Sequence, residues 1–273
     1  MTSRTITSLT NPTVKAVRGL HLRKEREDSG LFLAEGLKII TEAVDLAHAP
    51  KILLHGPEAA GHPVFRRAAA AARAAGGEVI EVSRDILEKV SRRDNPQTVV
   101  GVFEQVYTPL ADIEPHEATC WVGLQAVRDP GNLGTIVRTA DAAGCGGVIL
   151  VGDCTDPYSV EAVRATMGSI FAVKIAKATV EEFIEWRKTW PGSVVGTLLS
   201  ATHDYRAAPY KRPTLILMGN EQAGLPPELE AVCDIAVKIP MRGRADSLNL
   251  SVATGIMIYA ATEQHPGLCA GPG

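Results

Sequence analysis

The sequence predicts an α/β protein: a mostly parallel sheet with helices on both faces, preceded by a smaller α/β domain. Three observations predict it. Apolar runs such as Gly147-Val-Ile-Leu-Val and Thr214-Leu-Ile-Leu-Met have the length and continuity of strands buried on both faces. Segments of helical spacing alternate with them, and strand–helix alternation calls for a parallel sheet. The 273 residues, 45% hydrophobic and 22% charged, suit one large domain or two modest ones with full cores and exclude a disordered, collagen-like or coiled-coil chain.

The elements follow in order. Asn11-Pro12 marks a helix start, and Thr13 to Arg26 reads as one helix with a basic face. Leu31 to Ala34 is a short strand. Gly36 to Ala47 is helical, with apolar Leu37, Ile40, Val44 and Ala47 on one side. Lys51 to Leu54 is strand-like, Val64 to Ala75 an Ala-rich helix closed by Gly76-Gly77, and Glu78 to Val82 and Val99 to Val106 are strands. Pro109 to Glu117, acidic and interrupted by Pro115, is a linker, so residues 1–110 form one domain and 117–265 the next. In the second, strands are expected at 120–127, 147–151, 172–175, 194–199, 214–218 and 235–239. Helices are expected at 132–143, 180–190, 229–233 and, long and apolar, 249–264. Residues 266–273, rich in Gly and Pro, read as a flexible tail.

Composition narrows the function. No stretch approaches the roughly 18 apolar residues of a membrane span, and the start shows no apolar signal segment, so a cytoplasmic location is expected. Cys120, Cys145, Cys154, Cys233 and Cys269 form no CxxC pair and have no His at zinc-like spacing; free thiols and no metal site are expected. With Phe 5, Tyr 5 and Trp 3, composition offers no sign of base-stacking platforms. The net charge of −3 hides a basic arm, in which Arg4, Lys15, Arg18, Arg23, Lys24 and Arg26 face only Glu25. Such an arm is either a solvated helix face or a grip for a phosphate-rich partner.

Three Gly-containing loops follow strands in the second domain: Asp129-Pro-Gly-Asn-Leu-Gly-Thr-Ile-Val-Arg, Met218-Gly-Asn-Glu-Gln-Ala-Gly-Leu, and Ile239-Pro-Met-Arg-Gly-Arg-Ala-Asp-Ser-Leu-Asn. In parallel sheets ligands sit beyond the carboxyl ends of strands, so these loops gather Asn132, Arg138, Glu221, Ser247 and Asn249 around one crevice. Each residue also has a plain reading. Ser247 and Asn249 are good helix caps, Arg138 suits a solvated helix face, and a Gly after a strand is commonly just a turn. Neither a G-x-G-x-x-G nor a G-x-x-x-x-G-K-S/T motif occurs, which argues against a nucleotide-dependent oxidoreductase.

The three loops, in this order and spacing, resemble the signature motifs of the SpoU (TrmH-type) RNA 2′-O-ribose methyltransferases of the SPOUT superfamily: Asn132-x5-Arg138, Gly219-x-Glu221-x-x-Gly224-Leu, and Ile239-Pro-Met241-x5-Ser247-Leu-Asn249-x-Ser251. The run Phe32-Leu-Ala-Glu35-Gly36 is similar to the small substrate-binding domain that often precedes that catalytic domain. The second motif departs from the usual pattern at Asn220 and Gln222, where smaller residues are common.

The resemblance implies a SPOUT-type parallel sheet with a C-terminal trefoil knot and a homodimer. It implies S-adenosylmethionine as cofactor, held at Thr197, Leu198, Gly219, Ile239, Met241 and Leu248, and 2′-O-methylation of a ribose. Arg138 is implied at the ribose oxygen, oriented with Asn132, Glu221, Ser247 and Asn249. An RNA partner is implied, ribosomal RNA in preference to tRNA given the extra domain, gripped by Arg18, Arg23, Lys24, Arg242 and Arg244. Arg164 either holds a substrate phosphate or forms a surface salt bridge. A non-catalytic RNA-binding or ribosome-assembly factor on the same scaffold is the competing reading.

Overall fold

The computed structural model describes residues 4–263; Gln264, Cys269 and the expected tail lie outside the described residues. Packing divides the chain into two units that are not contiguous in sequence. Residues up to 105 join 156–172, and 106–155 join the residues from 173 onward. The sequence boundaries had placed 156–172 wholly in the second domain.

The first unit opens with β1 (Arg4–Ile6), α1 (Pro12–Gly19), α2 (Arg23–Ser29), β2 (Leu31–Glu35) and α3 (Leu37–Asp45). It continues with β3 (Ile52–His55), α4 (Pro63–Ala74), β4 (Glu78–Val82), α5 (Arg84–Ser91) and β5 (Val99–Glu104). Its sheet runs β1-β4-β3-β5-β2. β5 is antiparallel to both β3 and β2, while the β4 pairings are parallel. Leu33, Leu54, Ile80, Val82, Ile86, Leu87 and Val102 form its core. The expected helix over 13–26 is two helices. Consecutive tight turns at Leu20, His21 and Leu22 break it, burying Leu20 and turning Arg26 inward. There the Arg26 guanidinium binds Asp156 through Nε (2.8 Å) and Nη2 (2.7 Å) and donates Nη1 to Leu20 O at 2.8 Å. A buried cation is tolerated only when paired in this way.

The second unit begins with β6 (Cys120–Gln125), α6 (Pro130–Ala142) and β7 (Gly147–Val151). The chain then makes α7 (Val160–Thr166), which belongs to the first unit. Tyr158 and Phe171 flank it and pack on Phe32, with ring centroids 4.6 and 5.7 Å away, and Val160 joins that unit's core. The second unit resumes with β8 (Lys174–Ala178), α8 (Val180–Arg187), β9 (Val194–Thr197), β10 (His203–Asp204), β11 (Thr214–Met218), α9 (Pro227–Glu230), β12 (Ile235–Lys238) and α10 (Leu250–Glu263). Its seven strands, ordered β10-β12-β9-β11-β6-β7-β8, are all parallel.

That register positions the site. Leu124 of β6 pairs Met218 of β11, Met218 pairs Thr197 of β9, and Thr197 pairs Val237 of β12. Four strands therefore end level on one edge of the sheet, and the loops that follow them share it. Several predicted strands shift at their ends: 172–175 is β8 at 174–178, 120–127 stops at Gln125, 194–199 at Thr197 and 99–106 at Glu104. The short β1, α5 and α7 had no counterpart in the sequence reading.

Candidate active site

The loop after β6 is set by its backbone. Ala126 takes a left-handed φ of 47°, costly for a residue with a Cβ. It is held there by its N–H on Val151 O (3.0 Å) and by Asn220 Nδ2 on its carbonyl (2.8 Å). Asp129 then caps α6, its Oδ1 accepting from Asn132 N at 2.6 Å, with Pro130 at the first helical position. α6 buries Leu133, Ile136, Val137 and Ala140. This presents Asn132 at the helix start and leaves Arg138 exposed on the outer side.

α10 lies beside α6 with its start at the same end. A Cβ on Gly255 would stand 3.6 Å from Thr139 Cγ2, and Asn249 at the entrance of α10 reaches Asn132. Asn249 uses both ends of its amide. Its Oδ1 accepts from Ser251 N (2.9 Å), Val252 N (3.3 Å) and Ser251 Oγ (2.6 Å), while its Nδ2 donates to Asn132 Oδ1 at 2.9 Å. Asn132 Nδ2 in turn donates to Glu221 Oε1 at 3.3 Å. The result is a directed chain of amides, Asn249 to Asn132 to Glu221, ending on a carboxylate and joining the three loops. Asn249 thus caps α10 and joins Asn132 with the same side chain.

The loop after β11 is a tight hairpin. Asn220 and Gly224 exchange backbone bonds of 3.1 and 3.0 Å, and Gly224 has φ +70°. Gly219 packs directly under it: a Cβ there would fall 2.2 Å from Gly224 C. The departure at Asn220 has a structural role. Besides holding Ala126, its Oδ1 accepts from Gln222 N (2.9 Å) and Ala223 N (3.2 Å).

This hairpin walls two cavities. One, about 820 Å³, is lined by Gln125, Arg128, Asp129, Asn132, Glu221 and Asn249 among others. The other, about 350 Å³, is lined by Thr197, Leu198, Met218, Gly219, Ile239, Met241, Ser247 and Leu248. Every residue the sequence assigned to the cofactor thus lines the second cavity. Ser247 faces it as well, its Oγ on Asp246 Oδ1 at 3.2 Å, and is not part of the amide chain. Arg138 lines neither cavity and has no hydrogen-bond or ion-pair partner among the described residues. It stands six positions beyond Asn132, about 9 Å along the helix and about 120° around it.

The remaining sequence-predicted cations are dispersed. Arg18 and Lys24 are exposed on α1 and α2, and Arg23 pairs with Glu27 at 2.7 Å. Arg164 grips the buried Glu35 with contacts of 2.9–3.2 Å and donates to Ser91 O, which is the ion-pair alternative of the sequence reading. Arg242 and Arg244 are exposed on the loop before α10. Burial pushes the Cys154 thiol up and that of Cys233 to about 12, so neither is poised as a nucleophile. Among the described residues no His/Cys/Asp/Glu group could hold a metal ion, and no helix is long and apolar enough to cross a membrane.

The smaller cavity fits adenosylmethionine. Its volume is within the range of small-ligand sites. Its walls are largely apolar, with Glu221, Glu230 and Lys238 among the polar residues, and Thr197 Oγ1, buried and without a partner among the described residues, is a polar atom left for a ligand. The fold and site define a class in which a parallel sheet carries two adjoining cavities beyond the ends of its strands. Residues 119–259 match the SpoU rRNA methylase family, and residues 11–101 match the MRM3-like substrate-binding domain. The chain belongs to the SpoU rRNA methylase family.

The 23S rRNA (guanosine(2553)-2′-O)-methyltransferase RlmP of Bacillus subtilis (strain 168) is 30% identical over 93% of this chain and 97% of its own. The 23S rRNA (uridine(2479)-2′-O)-methyltransferase of Streptomyces viridochromogenes is 32% identical over 89% and 86%. The AdoMet-bound rRNA methyltransferase from Sinorhizobium meliloti superposes with a TM-score of 0.90 at 51% identity, covering 96% of this chain and 98% of that one.

Proposed function

We propose that this protein transfers the methyl group of S-adenosylmethionine to a ribose 2′-oxygen of ribosomal RNA. The observation that carries the reading is the amide chain Asn249–Asn132–Glu221, which borders the polar cavity while the six assigned cofactor residues line the adjoining one. The cofactor, when bound, supplies an electrophilic methyl on a good leaving group. Thr197, Leu198, Gly219, Ile239, Met241 and Leu248 hold it. The chain's own task is the hydroxyl, a weak acid mostly protonated at neutral pH, which must be aligned and relieved of its proton. Asn132 and Glu221 orient that hydroxyl through fixed acceptors and donors. The Arg138 guanidinium stabilises the oxyanion as it develops, the proton leaving to water or a substrate phosphate.

Arg138 faces away from the polar cavity of its own chain, and the reading therefore includes a symmetric homodimer that brings a partner's α6 to the site. The outer face of α10 supports this: Val252 and Tyr259 are 52% and 47% exposed, on the same side as Ile256. The C-terminal strand order, with β11 inserted between β9 and β6 and β12 beyond β9, supports the expected knot. Arg18, Lys24, Arg242 and Arg244 grip RNA phosphates in this reading, and the protein works in the cytoplasm.

The test is methyl transfer from tritiated adenosylmethionine to rRNA from cells lacking the protein, followed by mass-spectrometric mapping of the ribose. Arg138→Ala abolishes transfer and keeps cofactor binding. Mixed dimers of Arg138→Ala with Glu221→Ala regain part of the activity if the arginine acts across the interface. Retained turnover in Arg138→Ala refutes its role, and a wild-type protein that methylates no rRNA refutes the function.

A further inference from the structure

Gln125 is the last residue of β6 and lines the larger cavity with Asn132, Glu221 and Asn249. Its Oε1 is buried, and its side chain has no hydrogen-bond partner among the described residues. A buried acceptor left unpaired is costly, and proteins rarely keep one without a use. The backbone beside it is the strained turn at Ala126, pinned from both sides by Val151 and Asn220. The amide is thus held on a rigid strand end rather than on a free loop, as a recognition group should be.

The geometry points to Gln125 as the residue that reads the base of the methylated nucleotide, an assignment resting on the function proposed above. Donor chemistry narrows what that oxygen can meet. An acceptor oxygen needs an N–H or O–H. A phosphodiester offers none at neutral pH, and an internal nucleotide has no free 3′-hydroxyl. Its 2′-hydroxyl is the reacting group, served by the amide chain in the function proposed above. Within the one bound nucleotide what remains is the base edge, where every base carries at least one N–H: guanine N1 and N2, adenine N6, cytosine N4, uracil N3. A cavity of about 820 Å³ has room for one unstacked nucleotide. Enzymes that modify single nucleotides commonly unstack their target in this way.

The experiment first maps the nucleotide that the wild-type protein methylates on rRNA from cells lacking it. Kinetics are then run on a synthetic RNA carrying that nucleotide and on the same RNA with its base exchanged. Gln125→Leu keeps the shape and removes the polar end. It should melt at or above the wild-type temperature and bind adenosylmethionine with unchanged Kd. Its kcat/KM on the natural RNA should fall at least tenfold, and its preference over the base-exchanged RNA should shrink. Gln125→Glu, which still accepts, should retain part of the activity that Gln125→Leu loses, most fully if the mapped base is guanine, whose two adjacent N–H donors suit a carboxylate.

Wild-type kcat/KM and selectivity in Gln125→Leu would overturn the assignment, as would a loss of cofactor affinity or melting temperature that accounts for the fall. A wild-type protein inactive on all rRNA would instead overturn the underlying function, and the base-reading role with it.

Discussion

Asn249 performs two tasks with the two ends of one amide, and substitutions can separate them. Asn249→Ala removes both. The capping oxygen serves two backbone N–H groups at the start of α10, at 2.9 and 3.3 Å, and losing such a cap costs about 0.5–2 kcal/mol. The bond to Asn132 adds about 0.5–1.5 kcal/mol, reduced because the site is open to solvent and water can replace the lost donor. A total of about 1–2 kcal/mol corresponds to a fall in Tm of a few degrees for a chain of this size. Asn249→Asp keeps the cap, since aspartate is as good there and its charge suits a helix start. It cannot donate to Asn132 Oδ1, and it sets a carboxylate against that oxygen and near Glu221.

Thermal melts and methyl-transfer rates, read on the same preparations, separate the two. Asn249→Ala should lose stability and activity. Asn249→Asp should melt close to wild type while transfer falls at least tenfold. If Asn249→Asp transferred methyl within a factor of two of wild type, the amide chain would have no part in catalysis. If Asn249→Ala melted like wild type, the capping argument would fail.

Gly219→Ala should weaken adenosylmethionine binding by about one to two orders of magnitude. Its Cβ would meet backbone at 2.2 Å, which no rotamer relieves, so the hairpin between the cavities must shift at a cost of about 1–3 kcal/mol; calorimetry checks it. Arg26→Met should destabilise the first unit by about 3–5 kcal/mol by leaving Asp156 buried and unpaired, read by urea denaturation. The double variant with Asp156→Leu should recover much of that loss. His21, bonded to Val90 O at 2.6 Å, has its pKa lowered by burial, with Arg92 adding to the effect. The unfolded chain therefore takes up a proton before the folded one does, and this contribution to stability is present above the unfolded pKa near 6.5 and lost as pH falls below it. Melting temperatures of wild type and His21→Gln between pH 5 and 8 should converge on acidification.

Much of this protein was legible in its sequence because the signals are local. Strands such as 147–151 and 214–218 are continuous apolar runs, and α6 and α10 carry apolar faces. Loops after parallel strands must gather on one edge, so Asn132, Glu221 and Asn249 could be grouped before any coordinates. The residues proposed to hold the cofactor were legible only through resemblance, since nothing in the spacing of Thr197, Ile239 and Leu248 says that β9, β11 and β12 end side by side.

Tertiary structure alone decided the rest. Residues 156–172 leave their sequence neighbours because Tyr158, Val160 and Phe171 find apolar partners in the first unit, a pairing that periodicity cannot encode. Arg26 looked like part of a basic arm, yet it is internal because Asp156, distant in sequence, neutralises it. Gln125 could be singled out only when its oxygen was seen buried without a partner among the described residues, and Arg138 could be placed on the outer side of its helix only once the buried face was known. Hydrophobic pattern specifies elements and their inward faces. Which distant groups satisfy a charge, an amide or an aromatic ring depends on where the folded chain brings them.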